Sequence, residues 1–336
     1  MRNGRNITLD MIKLFAAYMV VMAHVPFYGK IGEIQDALTR FSVPVFLAAA
    51  GFHSTQVTPG QIKKRIINIL RLLVFAVVFC TLWKILMFLM LGDLPGLVRY
   101  FSVCLDVKKL LTLLLLNSPL HLEYLWYMYA VLTVYILHYA ATVRNVPKKT
   151  IYILAGVLLL AHILLGEGLS LFHISVPVPL IRNFLFVGIP FFSIGMMAGE
   201  YRHRLSSVPN CVIVLAFLLG IAETLLSRFL IGKNEIYLGS VLIFLGFVLL
   251  FVKYPNIPFP SFLVTLTGCS TYIYIVHPVL DEFMELVYAK CGLGYETSIP
   301  LQMIHPIVVC ILSTLAAFVL IRLTKMMKMS RKKQSE

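Results

Sequence analysis

Ten long apolar segments run along the chain, separated by short polar stretches. They cover residues 7–28, 41–57, 69–92, 119–142, 150–167, 183–200, 211–231, 237–252, 262–287 and 303–326. A bilayer core takes about 20 apolar residues per helix, so these segments predict transmembrane helices. The breaks carry charge or turn chemistry: "TPGQIKKR", "RNVPKK", "YRHRLSSVPN", "GKNE", "KYPNIPFPS" and "KCGLGYETSIP". The run "LLTLLLL" at 110–116, stopped by Asn117-Ser118-Pro119, is too short to span and reads as an interfacial or re-entrant piece. No segment resembles a soluble domain, and no 20–50-residue repeat shows. The expected fold is an all-α integral membrane bundle of about ten helices, one domain over residues 1–336 with a short basic tail at 327–336.

Composition agrees with this pattern. The chain is 60% hydrophobic and 13% charged, with mean hydropathy +0.89, against about 45–50% and 25% in soluble domains. The net charge of +14 is a topology signal. With the amino terminus inside, 17 of the 29 basic residues fall in inner loops and tails, offset only by Glu200 and Glu336. This is the positive-inside bias, and it places both termini in the cytoplasm. It argues against a nucleic-acid footprint, and leaves "RKK" near the end to a solvated role or to anionic membrane lipids. Arg2 and Arg5 before an apolar run suggest a secretory signal, but Asp10 and Lys13 interrupt that run, so it reads as a retained helix. The six cysteines lack ligand spacing, and neither a disulfide nor a metal site is expected.

Ionisable residues inside the segments need a reason, because each costs about 2.5–3.5 kcal/mol on insertion scales. Asp10 and Lys13 are neighbours at i,i+3. Lys13 and His24 are eleven residues apart, about three turns plus 20°, so they share a face and lie roughly 16 Å apart along the axis. Two readings stay open: the wall of a water-filled tunnel, or an interfacial ion pair with Lys13 snorkelling. The ninth segment places His277 at a depth similar to His24, with Pro278 next and Asp281 four residues on. A pair of histidines at one level suits acid/base chemistry; a structural hydrogen bond is the other reading.

These residues carry a resemblance. "DMIKLFAAYMVVMAH" is similar to the first-helix signature of acyltransferase family 3, an Arg or Lys followed after ten residues by His, here Lys13 and His24. "RFSVPVFLAAAGF", "LWYMYAVLTVY", "RNFLFVGIPFFSIGMMAGE" and "STYIYIVHPVL" resemble further helices of that family, in order along the whole chain. One departure concerns an Arg-x-x-Arg pair after the second helix: "KKRIINILR" has Asn68 at the second position, with Arg71 nearby.

The resemblance implies an enzyme that moves an acyl group, usually acetyl, from cytoplasmic acetyl-CoA or another acyl-CoA to a hydroxyl of a surface or exported glycan, with no tightly bound cofactor. His24 is then the expected general base. Lys13, oriented by Asp10, belongs to the donor side, and His277 to oxyanion stabilisation or acceptor orientation. Lys63, Lys64, Arg65 and Arg71 offer a cluster for CoA phosphates, or simply solvated positive-inside charge. His121, Glu123, Trp126 and Asp281 are expected at the acceptor, with Trp126 as a stacking face or an interfacial belt residue. A transporter or flippase for a polar metabolite or lipid-linked sugar would also use intramembrane charge, though no repeat or paired broken helix supports one. A sensor or scaffold would tolerate loss of both histidines.

Overall fold

The computed structural model describes residues 4–334, with the backbone alone for residues 105, 325 and 327–334. No strand occurs among the described residues. Helix α1 (Ile7–His24) starts at Asn6, whose side chain accepts from Leu9 N at 2.8 Å, satisfying one orphan amide of the first turn. Then come α2 (Gly29–Leu38) and α3 (Ser42–Phe52). The long α4 (Pro59–Leu91) opens with a capping box: Thr58 Oγ1 accepts from Gln61 N and Gln61 Oε1 from Thr58 N, with Pro59 in the first turn. It ends on Gly92, whose φ of 70° favours glycine. Two short helices follow, α5 (Leu94–Ser102) and α6 (Val107–Leu116). As expected for a piece too short to span, α6 stops at Asn117 and exposes Leu110, Leu111, Leu114 and Leu115.

Next are α7 (Trp126–Val143), α8 (Lys148–Ile163), α9 (Val178–Ile181), α10 (Ile189–Glu200), α11 (Arg202–Ser206), α12 (Asn210–Ile231) and α13 (Leu238–Lys253). A π-helical turn at Leu164–Gly168 extends α8, and another at Phe184–Gly188 leads into α10. The chain closes with α14 (Ser261–Leu266), a 3-10 turn at Thr267–Cys269, α15 (Ser270–Lys290) and α16 (Ile299–Gln334).

Among the described residues, seven helical rods are long and apolar enough to cross a membrane: Ile7–His24, Pro59–Leu91, Lys148–Gly168, Val178–Glu200, Asn210–Ile231, Ser261–Lys290 and Ile299–Thr324. The other three expected spans are weaker. The helix in 41–57 has 11 residues and that in 237–252 has 16. The helix in 119–142 starts only at Trp126, and Tyr127, Tyr129, Tyr135, Tyr139 and His138 reduce its apolarity. One boundary is corrected. The stretch "TPGQIKKR" is not a loop: its capping box starts the helix at Pro59, so Lys63, Lys64 and Arg65 ride on α4. The backbone at 327–334 continues α16, while the side chains of the expected basic tail, like Arg2, lie outside the described residues.

The chain divides into two compact units, Met1–Ser42 with Tyr254–Glu336, and Val43–Lys253. In the first, α1 packs on α14, α15 and α16. Leu9, Ala16, Ala17 and Val21 are buried, as are Ile273, Ile275, Val276 and Val309. In the second, α4 packs on α7, α8 on α10, and α12 on α13. A side chain at Gly195 would strike the backbone of Ala48, and one at Gly51 the backbone of Phe192, so α3 and α10 cross with main chains in contact. Gly220 and Gly239 play the same part between α12 and α13. Small residues at crossings are how apolar helices gain packing without a hydrophobic drive. Outward, α4 shows Val74, Val78, Leu82 and Leu86, and α12 shows Val214, Leu215, Leu218 and Leu219; such faces suit lipid.

Candidate active site

The first unit brings His24 and His277 together. His24 is the last residue of α1 and is exposed, whereas His277 sits inside α15 and is fully buried. Their rings stack with centroids 5.3 Å apart and planes at 28°. Pro278 explains how His277 is held. Proline has no N–H, so the carbonyl four residues back, that of Tyr274, loses its helical donor. His277 Nδ1 lies 2.8 Å from that oxygen and supplies the missing hydrogen. The helix therefore runs unbroken through Pro278. Neutral His277 then carries its proton on Nδ1 and presents Nε2 as an acceptor.

At the other end of α1, Asp10 holds two cations. Arg5 Nε donates to Asp10 Oδ2 at 2.8 Å, and Lys13 Nζ lies 3.5 Å from Oδ1. Arg5 also donates to Thr267 Oγ1 at 2.7 Å, tying the start of α1 to the turn before α15. Lys13 is one turn further along and half-buried.

Asp281 is one turn beyond His277 on α15, and its Oδ1 is 2.8 Å from His305 Nε2. His305 lies on α16, fully buried, with Tyr288 Oη 3.4 Å from its Nδ1 and the Tyr295 ring edge-on at 4.9 Å. Burial, followed by the charges of Asp281 and Glu285, pushes the Tyr295 phenol up to about 12. Ligand atoms of Asp281, Glu285 and His305 lie within 4.8 Å of one another. They form the described cluster with donor types for a divalent ion, but the close His305–Asp281 bond already engages two of the three and Glu285 is exposed.

The remaining expected residues belong to the second unit. Lys64 and Arg71 are exposed on α4, seven residues apart and so on one face, about 20° from eclipsed. Arg65 points elsewhere: it donates to Ser54 Oγ and to the His53 carbonyl, both at 2.7 Å, and so anchors α4 to the end of α3. Asn68, standing where a second arginine was expected, is exposed. His121 stacks on Tyr100 at 4.2 Å; burial, aided by Lys109 and Lys84, pulls its imidazole below the usual value. Glu123 and Trp126 line one cavity of about 290 Å³ with Ser118, Pro119, Arg182 and Glu235. Of the two readings of Trp126, a stacking face or a belt residue, neither is decided by its surroundings. The residue is 8% exposed and the Arg182 guanidinium lies over its ring at 5.5 Å.

The family model of the acyltransferase domain of acyltransferase family 3 matches residues 6–322, almost the entire chain. The chain belongs to acyltransferase family 3. No curated protein and no solved structure shows a match. The family 3 membership, with the seven apolar rods, makes this a multi-pass membrane acyltransferase.

Several residues of this family 3 acyltransferase escaped the sequence reading. His305 had a usable signal, because His305-Pro306 repeats the His277-Pro278 dipeptide inside another apolar segment. Arg5 was counted only as loop charge, although it is the nearer partner of Asp10. Arg182 and Glu235 are 53 residues apart in sequence, and no local pattern links them.

Proposed function

We propose that this family 3 protein is an O-acetyltransferase that carries acetyl from cytoplasmic acetyl-CoA to a hydroxyl of a cell-surface or exported glycan. The observation that carries the reading is the stacked pair of an exposed His24 and a buried, tautomer-locked His277. His24 removes the proton of the acceptor hydroxyl as its oxygen attacks the thioester carbonyl carbon. The tetrahedral intermediate collapses with cleavage of the C–S bond, and the proton on His24 passes to the departing thiolate, giving an ester and free CoA. General-base help of this kind is worth about 10²–10⁴-fold. His277, with Nδ1–H committed to the Tyr274 carbonyl, offers only an acceptor and so orients His24 or the acceptor hydroxyl. Lys13, held by Asp10, serves the donor side. Arg65 keeps the α3–α4 corner in shape. Glu123 and Trp126 belong to the acceptor side, and Asp281 is held by His305.

The topology proposed with this reading has ten crossings, the three shorter helices α3, α7 and α13 included, and both termini cytoplasmic. Family membership is the observation that separates this reading from a transporter. The test uses sealed vesicles containing the purified protein, with acetyl-labelled acetyl-CoA supplied on the face bearing the termini. The reading requires acetyl ester on glycan presented at the opposite face. Movement of unmodified glycan without acetyl transfer would reject it.

A further inference from the structure

The cavity shared by Glu123 and Trp126 is built with more care than a surface dent needs. Arg182 follows the four-residue α9 and precedes the π-helical turn into α10. The next residue, Asn183, is 1% exposed and locks this corner. Its Nδ2 donates to the carbonyls of Pro179 and Leu180, both at 3.0 Å, and its Oδ1 accepts from Leu185 N at 2.9 Å and Phe186 N at 3.1 Å. Such π turns recur where a functional side chain must be aimed. Across the cavity, Glu235 sits on a loop pinned by the fully buried Tyr237, whose hydroxyl donates to the Gly232 carbonyl at 2.9 Å and accepts from Asn234 N at 3.0 Å. Arg182 Nη1 and Glu235 Oε2 stand 3.5 Å apart, the outer limit of a hydrogen bond. A wide pair of this kind accepts a bridging hydroxyl, which donates to the carboxylate and accepts from the guanidinium.

We infer that this cavity is a saccharide-recognition site, selecting one uncharged sugar unit through hydrogen bonds to the Arg182–Glu235 pair rather than by stacking on Trp126. Trp126 holds the guanidinium in place by its ring face. The volume of about 290 Å³ is at the low end for ligand pockets, about 300 Å³ upward, and suits a single pyranose. Two carboxylates, Glu123 and Glu235, face one guanidinium, so a sugar carrying its own carboxylate meets net repulsion. The inference deepens the glycan-acceptor reading and rests on it: the segments that line the cavity are those assigned to the outer side.

The test is saturation-transfer NMR on the full-length protein in detergent. The probes are the methyl glycosides of glucose, galactose and mannose, with methyl glucuronide as the anionic control. At least one neutral glycoside should show saturation transfer and the glucuronide none. Arg182→Ala and Glu235→Gln should each reduce the neutral-sugar signal at least several-fold, and Arg182→Lys should restore part of it. Acetyl-CoA binding, measured on the same samples, should be unchanged, which also shows that each variant is folded. If Arg182→Ala does not fold, the near-isosteric Glu235→Gln carries the comparison. The inference is overturned if no neutral glycoside binds, if the glucuronide binds equally well, or if Glu235→Gln leaves the signal intact. The readout needs no turnover, so failure here leaves the His24–His277 assignment standing, and loss of acetyl transfer leaves this binding result standing.

Discussion

At the scale of single residues, Pro278 removes one backbone donor and His277 replaces it. This exchange explains why a buried histidine stays in an apolar helix, and it fixes which nitrogen is left for the proposed chemistry. Pro278→Ala restores an amide that competes for the Tyr274 carbonyl. One lost hydrogen bond of about 0.5–1.5 kcal/mol corresponds to a kcat lowered roughly 2- to 10-fold with acetyl-CoA affinity unchanged; an unaltered kcat would show that the tautomer lock has no role. Lys13→Ala should raise the KM for acetyl-CoA while sparing bound-state turnover, and an unchanged donor affinity would remove Lys13 from the donor side. Sequence spacing alone predicted that Lys13 and His24 share a face and that His24 and His277 lie at one level, and the 5.3 Å stacking bears out that level. It was silent on the partner of His305, whose only trace was the repeated His-Pro dipeptide, and on the Arg182–Glu235 pair, because the partners come from distant segments.

At the scale of elements, start signals decide what an apolar run becomes. The Thr58–Gln61 capping box and Pro59 draw a basic stretch into the first turns of α4, where hydropathy alone suggested a loop. Arg65 then reaches back to Ser54 and the His53 carbonyl. Arg65→Ala leaves those acceptors without their charged partner and should cost about 1.5–3 kcal/mol, read as a lower unfolding temperature in detergent; Lys64→Ala, an exposed neighbour, should leave that temperature unchanged. The crossing of α3 and α10 depends on Gly51 and Gly195. Gly195→Leu forces the main chains apart, and overpacking of about 1–3 kcal/mol or more should appear as poor assembly on size-exclusion chromatography. The Gly195-to-Gly199 spacing was visible in the sequence, but not its partner helix, since apolar faces that meet lipid and those that meet protein look alike.

At the scale of the whole molecule, charge and apolar length together speak for a membrane bundle, and composition made that legible at once. The count of crossings was less legible. Tyrosines and a histidine in α7, and the brevity of α3 and α13, blur the hydropathy signal where polar groups line a protein interior. The proposed topology expects tags at both termini to react with membrane-impermeant reagents only after the vesicle interior corresponding to the cytoplasm is opened. A tag reacting from outside would invert the donor and acceptor sides. The proposed O-acetyltransferase depends on His24 for the proton transfer of acetyl delivery. The most direct measurement of this dependence compares wild type with His24→Ala in reconstituted vesicles, recording acetyl-CoA binding and acetyl ester formation on the same preparation. The account predicts retained acetyl-CoA binding with ester formation reduced by about 10²–10⁴-fold; ester formation at the wild-type rate would contradict it.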